Sequence, residues 1–432
     1  MSLNGPPIRV VHVTTADMAV RFLLRDQLRY LQNAGYEVSA ICSEGPWVEE
    51  IRAGGIPVRV IAMCRAITPF ADLVALVRLY RCFRREHFEV VHTHTAKANL
   101  LGQLAARLAD VPARIFTLHG YHAHIGMPGW QRRLYALLDQ ASCRCAHWVF
   151  SQGREDAITA VRENICPEWK MHYLGNGIDV KWFQRGKRQI GAASLRSRLG
   201  FPPGAPIVAI VGRVTFKKGY GEFIDAAAII RSQRQDVRFL AIGPDDDQSE
   251  SSLHAQVKRL GLENCFRWLG MQTNMPEWYA LMSVIALPSY REGLPRVIME
   301  AAASSVPMVA SDIPACRELI EPGRTGLLVP VKNSRALAEA ILQILRDPDW
   351  AREMGVRARL KAEREFDQLP VFERVRDAYN ELLGASQGAR HTSPAFSRPL
   401  PPGEGSEQSE LGTMAGEGRF SSVGVSRSDK AD

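Results

Sequence analysis

The chain has no apolar run approaching the ~20 residues that a bilayer crossing requires. Its opening, MSLNGPPIRVVHV, lacks the basic, apolar and small-residue layout of a signal peptide. These absences predict a protein that is neither membrane-spanning nor secreted. The eight cysteines are scattered, and the only close pair, Cys143 and Cys145, misses the C-x-x-C spacing of a zinc or redox site. A reducing cytoplasm accounts for them most simply. There is no G-x-x-x-x-G-K-[ST] phosphate loop, no G-x-G-x-x-G dinucleotide fingerprint and no short-period repeat. Nor does any platform of interleaved aromatic and basic residues accompany the positive charge, so nucleic acid is not the expected partner.

What the chain does have is length and a basic excess. At 432 residues, 46% hydrophobic and 23% charged, it calls for two to three globular domains. The formal charge is +8 and the pI is near 9.1. Most of the excess falls in the first 185 residues, which favours an anionic partner such as a phosphorylated substrate or an acidic membrane surface.

Short β-rich runs alternate with helical patterns: IRVVHVTT, YEVSAIC, VRVIAM, FEVVHTHT, ARIFTLHG and HWVFSQG, then, after a Gly-, Pro- and Arg-rich pause near residues 180 to 205, PIVAIVGR, VRFLAIG, CFRWLG, VIALPSY, PMVASD and GLLVPV. Each series predicts a parallel sheet covered by helices on both faces. The fold class is therefore α/β, with two Rossmann-like doubly wound domains facing across a cleft lined by loops at the strands' carboxyl ends. Beyond about residue 385 the Gly-, Ser-, Pro- and Glu-rich tail is expected to stay disordered.

In SYREGLPRVIMEA, Glu292 precedes a Gly-Leu-Pro turn and Glu300 follows seven residues after Gly293. The pair is either a loop acid and a solvated helix residue, or two grips on one ligand. Amides at a helix start, with the helix dipole behind them, suit phosphate. Seven helical residues span roughly 10 Å, near the separation of a nucleotide's diphosphate from its ribose. Glu300 sits among VIM and AAA, where an unpartnered acid would be costly. Upstream, VAIVGRVTFKKGYGEF sets Gly212, Arg213 and Lys218 at a strand end, where the two cations could take charge from a leaving diphosphate.

From GRVTFKKG through FRWLG to MPEWYALMSVIALPSYREGLPRVIMEAAASSVPMVASDIPACRELIEPGRTGLLVP, the chain resembles the nucleotide-binding half of the retaining glycosyltransferases of family 4, which have the two-domain GT-B fold. The resemblance implies that Arg213 and Lys218 hold a donor diphosphate, with Gly212 beside them, and that Gly293 and Leu294 offer it amides. It further implies that Glu300 binds the ribose, that Glu292 lies near the reacting carbon of the sugar, and that His119 lies near donor sugar and acceptor. FDQLPVFERVRDAYNELL resembles the family's final helix, which crosses back to the first domain, and NGID at 176 to 179 the segment entering the second. The domains would be an acceptor-side unit at 1–185, a nucleotide-sugar-binding unit at 186–368, the crossing helix at 369–385 and the tail at 386–432.

Five of the eleven histidines fall between residues 92 and 124. His92 and His94 share a strand face and could begin a metal site with His119, His122 or His124, but no partner of metal-ligand spacing accompanies them. Hydrogen-bonded cleft or core histidines fit better, and metal is not expected. Asp245, Asp246 and Asp247 follow a strand as metal-binding acids of another transferase fold do; the two-domain context favours a polar loop. Where many family members carry two glycines after the first strand, this chain has TTADMAVRF, with Arg21 the only local cation. The stretch PFADLVALVRLYRCFRREHF places Arg78, Arg81, Arg84 and Arg85 along one side of a helix, either a solvated face or a rest for anionic lipid.

Together these features predict a retaining, metal-independent glycosyltransferase without a cofactor. It would move a sugar from a nucleotide-sugar donor, UDP-hexose or UDP-N-acetylhexosamine by family weighting, to a saccharide or lipid-linked acceptor in surface-polysaccharide assembly. It would work in the cytoplasm, peripherally on the inner face of the membrane. The alternatives are an epimerase or hydrolase of nucleotide sugars, and a non-catalytic assembly adaptor.

Overall fold

The structure, a computed structural model, describes residues 6–64, 66–120, 128–184, 191–245 and 250–386. His122, His124, Asp246, Asp247 and all but the first residue of the expected tail lie outside these ranges.

Among the described residues, thirteen strands form two wholly parallel sheets. The first holds β1 (Arg9–Val13), β2 (Glu37–Cys42), β3 (Val58–Val60), β4 (Val90–Thr93), β5 (Ala113–Leu118), β6 (Trp148–Ser151) and β7 (Met171–Tyr173), in the order β3-β2-β1-β4-β5-β6-β7. The second holds β8 (Ile207–Val211), β9 (Arg238–Ile242), β10 (Phe266–Trp268), β11 (Val284–Leu287), β12 (Met308–Ser311) and β13 (Leu327–Val329), in the order β10-β9-β8-β11-β12-β13. All twelve strands read from the alternation are present; β7 is additional. Its three residues, Met-His-Tyr, carry no apolar alternation and owe their extended state to pairing with β6.

Both sheets bury both faces. In β8, Val208 and Ile210 enter one apolar cluster while Ile207, Ala209 and Val211 enter the other. In β1, Val10 and Val11 divide in the same way. This double burial is why these strands read as nearly continuous aliphatic runs. Strand order reverses between β1 and β4 and again between β8 and β11, and at such switch points the diverging loops leave a crevice at the strands' carboxyl ends.

The chain passes between the sheets twice, and the two passages are hydrogen-bonded together: the Ile178 N–H donates to the Phe366 carbonyl at 2.9 Å, and the Gln368 N–H to the Ile178 carbonyl at 3.1 Å. Ile178, Val180 and Phe183 already pack into the second sheet's core. The helix Leu369–Ser386 instead places Val371, Phe372, Val375, Ala378 and Tyr379 in the core of the first. A polar clasp joins the sheets elsewhere: Glu318 accepts from the Tyr173 hydroxyl at 2.8 Å and the Arg154 N–H at 3.1 Å.

Candidate active site

Loops at the carboxyl ends of the two sheets meet, the second sheet's at its switch point and the first's one strand beyond β4. The loop after β5 carries His119 and Gly120, and Gly120, at φ 122°, takes a backbone shape that side chains resist. A Cβ on Gly293, in the loop after β11, would lie 2.5 Å from the His119 carbonyl oxygen. Glycine at 293 is thus required by close approach of one sheet's loop to the other's. Asn176 adds a hydrogen bond to the Leu294 carbonyl at 3.4 Å.

On the second-sheet side, the loops after β8 and β11 lie together, fastened by the Tyr290 N–H donating to the Lys217 carbonyl at 2.9 Å. This brings Lys218 Nζ to 2.6 Å from Glu292 Oε1, an ion pair between side chains only 25% and 10% exposed. Arg213 is exposed and makes no ion pair with a described residue. Gly212 is occupied at both ends: its N–H donates to Ile242 and its carbonyl accepts from the Tyr220 hydroxyl at 2.7 Å. Leu294 is buried in the core, and among the described residues neither its N–H nor that of Gly293 has an acceptor. These two amides lie just ahead of the helix Arg296–Ala303, which Pro295 caps.

Glu300, one turn beyond Arg296, accepts a hydrogen bond from the fully buried Tyr279 hydroxyl at 2.8 Å and lies 3.8 Å from the Arg296 guanidinium. Burial pushes its carboxyl above the ordinary range, against the opposing pull of Arg296 and the Tyr279 hydroxyl. Sequence reasoning missed Tyr279 and Arg296. The i,i+4 spacing of Arg296 and Glu300 was available as a signal; Tyr279 arrives from a separate helix and had none.

On the first-sheet side, His119 is half-buried, with Nδ1 3.0 Å from Gln152 Oε1 and Nε2 3.3 Å from His94 Nδ1. Arg21, the cation of the segment after β1, pairs with Glu50 at 2.5 Å and lies over the Phe22 and Trp47 rings. The segment after β1 is organised by buried Asp17, which accepts from the Met18 and Trp47 amides, each at 2.7 Å. Asp245 belongs to an isolated bridge with Val214 beside the β8 loop.

Two parallel α/β sheets whose carboxyl-end loops meet, with an ion pair and a cation-bearing loop at the junction, define a two-domain α/β protein whose candidate site lies at that junction. The family model of group 1 glycosyl transferases matches residues 205–347, and that of the glycosyl transferase 4-like domain matches residues 18–177. The chain is 30% identical over 312 residues to the alpha-maltose-1-phosphate synthase of Mycolicibacterium smegmatis, covering 68% of this chain and 79% of that one. It is 24% identical over 393 residues to the UDP-Gal:alpha-D-GlcNAc-diphosphoundecaprenol alpha-1,3-galactosyltransferase of Escherichia coli, covering 89% and 99%. It is 26% identical over 388 residues to the capsular polysaccharide biosynthesis glycosyltransferase CapM of Staphylococcus aureus, covering 88% and 99%. Among solved structures, Anabaena HepE in complex with UDP and glucose superposes with a TM-score of 0.75 at 20% identity, over 87% of this chain and 100% of that one. The chain belongs to the group 1 glycosyltransferases, and its fold is GT-B.

Proposed function

We propose that this glycosyltransferase takes a hexose or N-acetylhexosamine from a UDP-linked donor on the second sheet. The sugar passes, with retention and without a divalent metal, to a saccharide on a lipid carrier at the first sheet. The observation that carries this reading is the Lys218–Glu292 pair beneath the Gly293 contact with His119. A diphosphate at the Gly293 and Leu294 amides would compete with Glu292 for Lys218, with Arg213 as a second cation. Drawn toward phosphate, Lys218 would release the Glu292 carboxylate to the sugar, where it opposes the positive charge that grows as the bond to the leaving oxygen lengthens. The acceptor hydroxyl would attack from the face the diphosphate leaves, its proton passing to a phosphate oxygen. Glu300, with Tyr279 holding one oxygen, keeps acceptor capacity for ribose hydroxyls. The complexes of HepE with UDP and UDP-glucose, and the diphosphoundecaprenol acceptor in the Escherichia coli relative's name, support this choice of donor and acceptor.

The surface of the first domain supports lipid. The helix Pro69–Glu86 exposes Phe70 (89%), Leu73, Val74 and Val77 at helical spacing, continued by exposed Arg78, Arg81, Arg84 and Arg85. On the helix Gly129–Cys145, Trp130 (68%), Leu134 and Leu137 form a second stripe beside Arg133. Both helices pack against Ala96–Leu108. Apolar stripes bordered by arginine fit an anionic interface, and among the described residues no helix is long and apolar enough to cross a membrane.

The test is transfer from a panel of UDP-sugars to synthetic polyprenyl-diphosphate saccharides, with the product anomer read by NMR and a parallel arm in EDTA. Retained configuration and undiminished EDTA activity are expected; inversion, or free sugar as the only product, overturns the reading. Co-sedimentation with vesicles should show binding to anionic but not zwitterionic lipid, lost in Phe70→Asp/Leu73→Asp.

A further inference from the structure

Four histidine rings run from the contact between the sheets into the core of the first. Strand register collects them: His12 of β1 lies opposite His92 of β4, and His92 opposite Ile115 of β5. With a side-chain period of two, His12, His92, His94, Thr117 and His119 share one face, which Tyr379 of the crossing helix covers. Six contacts link them in a line. Gln152 Oε1 meets His119 Nδ1 at 3.0 Å, His119 Nε2 meets His94 Nδ1 at 3.3 Å, and His94 Nε2 meets His12 Nδ1 at 2.8 Å. His12 Nε2 then meets the Tyr379 hydroxyl at 3.2 Å, that hydroxyl meets His92 Nδ1 at 2.7 Å, and His92 Nε2 meets Thr117 Oγ1 at 2.8 Å.

Burial keeps the inner rings neutral, holding His12 down to about 3 and His92 and His94 well below the usual histidine range. A neutral imidazole has one donor and one acceptor, so each ring passes the direction of its bond to the next. Gln152 presents an oxygen, which can only accept. His119 therefore carries its proton on Nδ1 and accepts at Nε2 from His94 Nδ1–H, and His94 accepts from His12 Nδ1–H. His12 accepts from the Tyr379 hydroxyl, Tyr379 from His92 Nδ1–H, and His92 from the Thr117 hydroxyl. One polarity satisfies every ring nitrogen.

We propose that this line is a positioning device which fixes His119 as its Nδ1–H tautomer, so that the Nε2 lone pair is offered to a hydroxyl of the transferred sugar. The proposal rests on the glycosyltransferase reading of the site. His94, His12 and Tyr379 act through His119 and are positioning residues. The longest of the six bonds, His94 to His119, is the one a sugar hydroxyl would replace, so the line holds the ring in this tautomer until the sugar arrives and Gln152 holds it thereafter. Because Tyr379 belongs to the helix returning from the second domain, the docking of that helix sets the orientation of a ring at the active site. The competing occupant is a metal ion, since the ring nitrogens of His12, His92 and His94 lie within 4.8 Å of one another. Two imidazoles on tetrahedral zinc would stand ~3.3 Å apart, from Zn–N bonds of about 2.0–2.1 Å. His12 and His94 stand at hydrogen-bond distance instead.

Long-range proton–nitrogen NMR of the full-length protein labelled with 15N-histidine reads each ring directly. Neutral Nδ1–H signals for His12, His92 and His94, and an Nδ1–H signal for the neutral form of His119, are expected at pH 8. An Nε2–H form, a mixture, or a metal-shifted nitrogen at any of the four overturns the proposal, whatever the enzyme's activity. In kinetics, His94→Asn keeps an N–H where Nδ1 stood, whereas His94→Leu does not. His94→Leu should lower kcat on the order of tenfold with donor KM within about twofold, and His94→Asn should recover most of the loss. Equal kcat in the two variants overturns the positioning role. Should His94→Leu fail to fold, half-buried Gln152 serves, with Gln152→Glu keeping the terminal acceptor and Gln152→Leu removing it. A protein without transferase activity but with the four Nδ1–H signals would refute the glycosyltransferase reading and leave the hydrogen-bonded line standing.

Discussion

On the second-sheet side of the junction, Lys218 with Glu292 and Arg296 with Glu300 meet as ion pairs on partly exposed side chains. On the first-sheet side, His119, His94 and His12 exchange hydrogen bonds between rings, and the inner two are buried and neutral. On the function proposed above, the difference follows what each side would hold. A diphosphate needs cations that can leave one partner for another, so its site keeps charge near solvent. A sugar needs hydrogen bonds of fixed direction, and a buried neutral network supplies direction because no water competes for its donors.

The sharpest way to break this comparison is Glu292→Ala. Loss of a group that acts on transition-state charge should lower transfer about 10²–10³-fold, while donor affinity by calorimetry stays level or rises as Lys218 is released. A loss confined to affinity would assign Glu292 to the nucleotide. Next, Gly293→Ala places a methyl group against the His119 carbonyl, and must separate the loops that join the two sides. A drop in kcat of about 100-fold is expected from displacement of roughly 1 Å, with donor binding retained because the second-sheet side stays whole.

Glu300→Gln should weaken donor binding about tenfold, in line with ~1.5–3 kcal/mol for hydrogen bonds to a charged group, and leave kcat at saturating donor nearly unchanged. Because burial raises the Glu300 pKa, donor affinity should fall on acidification earlier than an ordinary glutamate would give, and the Gln variant should lose that pH dependence. The smallest effect expected lies outside the junction. Asp139 is buried in the helix Gly129–Cys145, its Oδ2 has no hydrogen-bond partner among the described residues, and burial raises its pKa to about 7. An acid whose folded pKa is raised favours the folded state at low pH and loses that contribution as pH climbs from its unfolded value, near 4, toward 7. Asp139→Asn should therefore raise Tm more at pH 8 than at pH 5, and a pH-independent gain would refute the assignment.

Legibility in the sequence follows the range of the interactions. The strands of both sheets were readable because double burial demands aliphatic side chains at consecutive positions, and VAIV or VVHV shows this locally. β7 was not, since Met171–Tyr173 is held by its neighbour rather than by its composition. On the second-sheet side, Lys218, Glu292, Gly293 and Glu300 stood out because turn and helix chemistry crowds them into short segments. On the first-sheet side the sequence pointed to His119 and to the His92 and His94 pair; His12 and Tyr379, 367 residues apart, carried no mark of their meeting.

By itself, the sequence determined two parallel sheets and the stretches in which chemistry gathers, because hydrophobic period and turn residues are local properties of the chain. Tertiary structure alone decided the partners: Glu292 on Lys218 across 74 residues, Tyr279 on Glu300, His94 between His12 and His119, and Gly293 against the His119 backbone. Hydrogen bonds and ion pairs are settled at distances near 3 Å, and only the register of strands and the docking of helices brings distant segments that close.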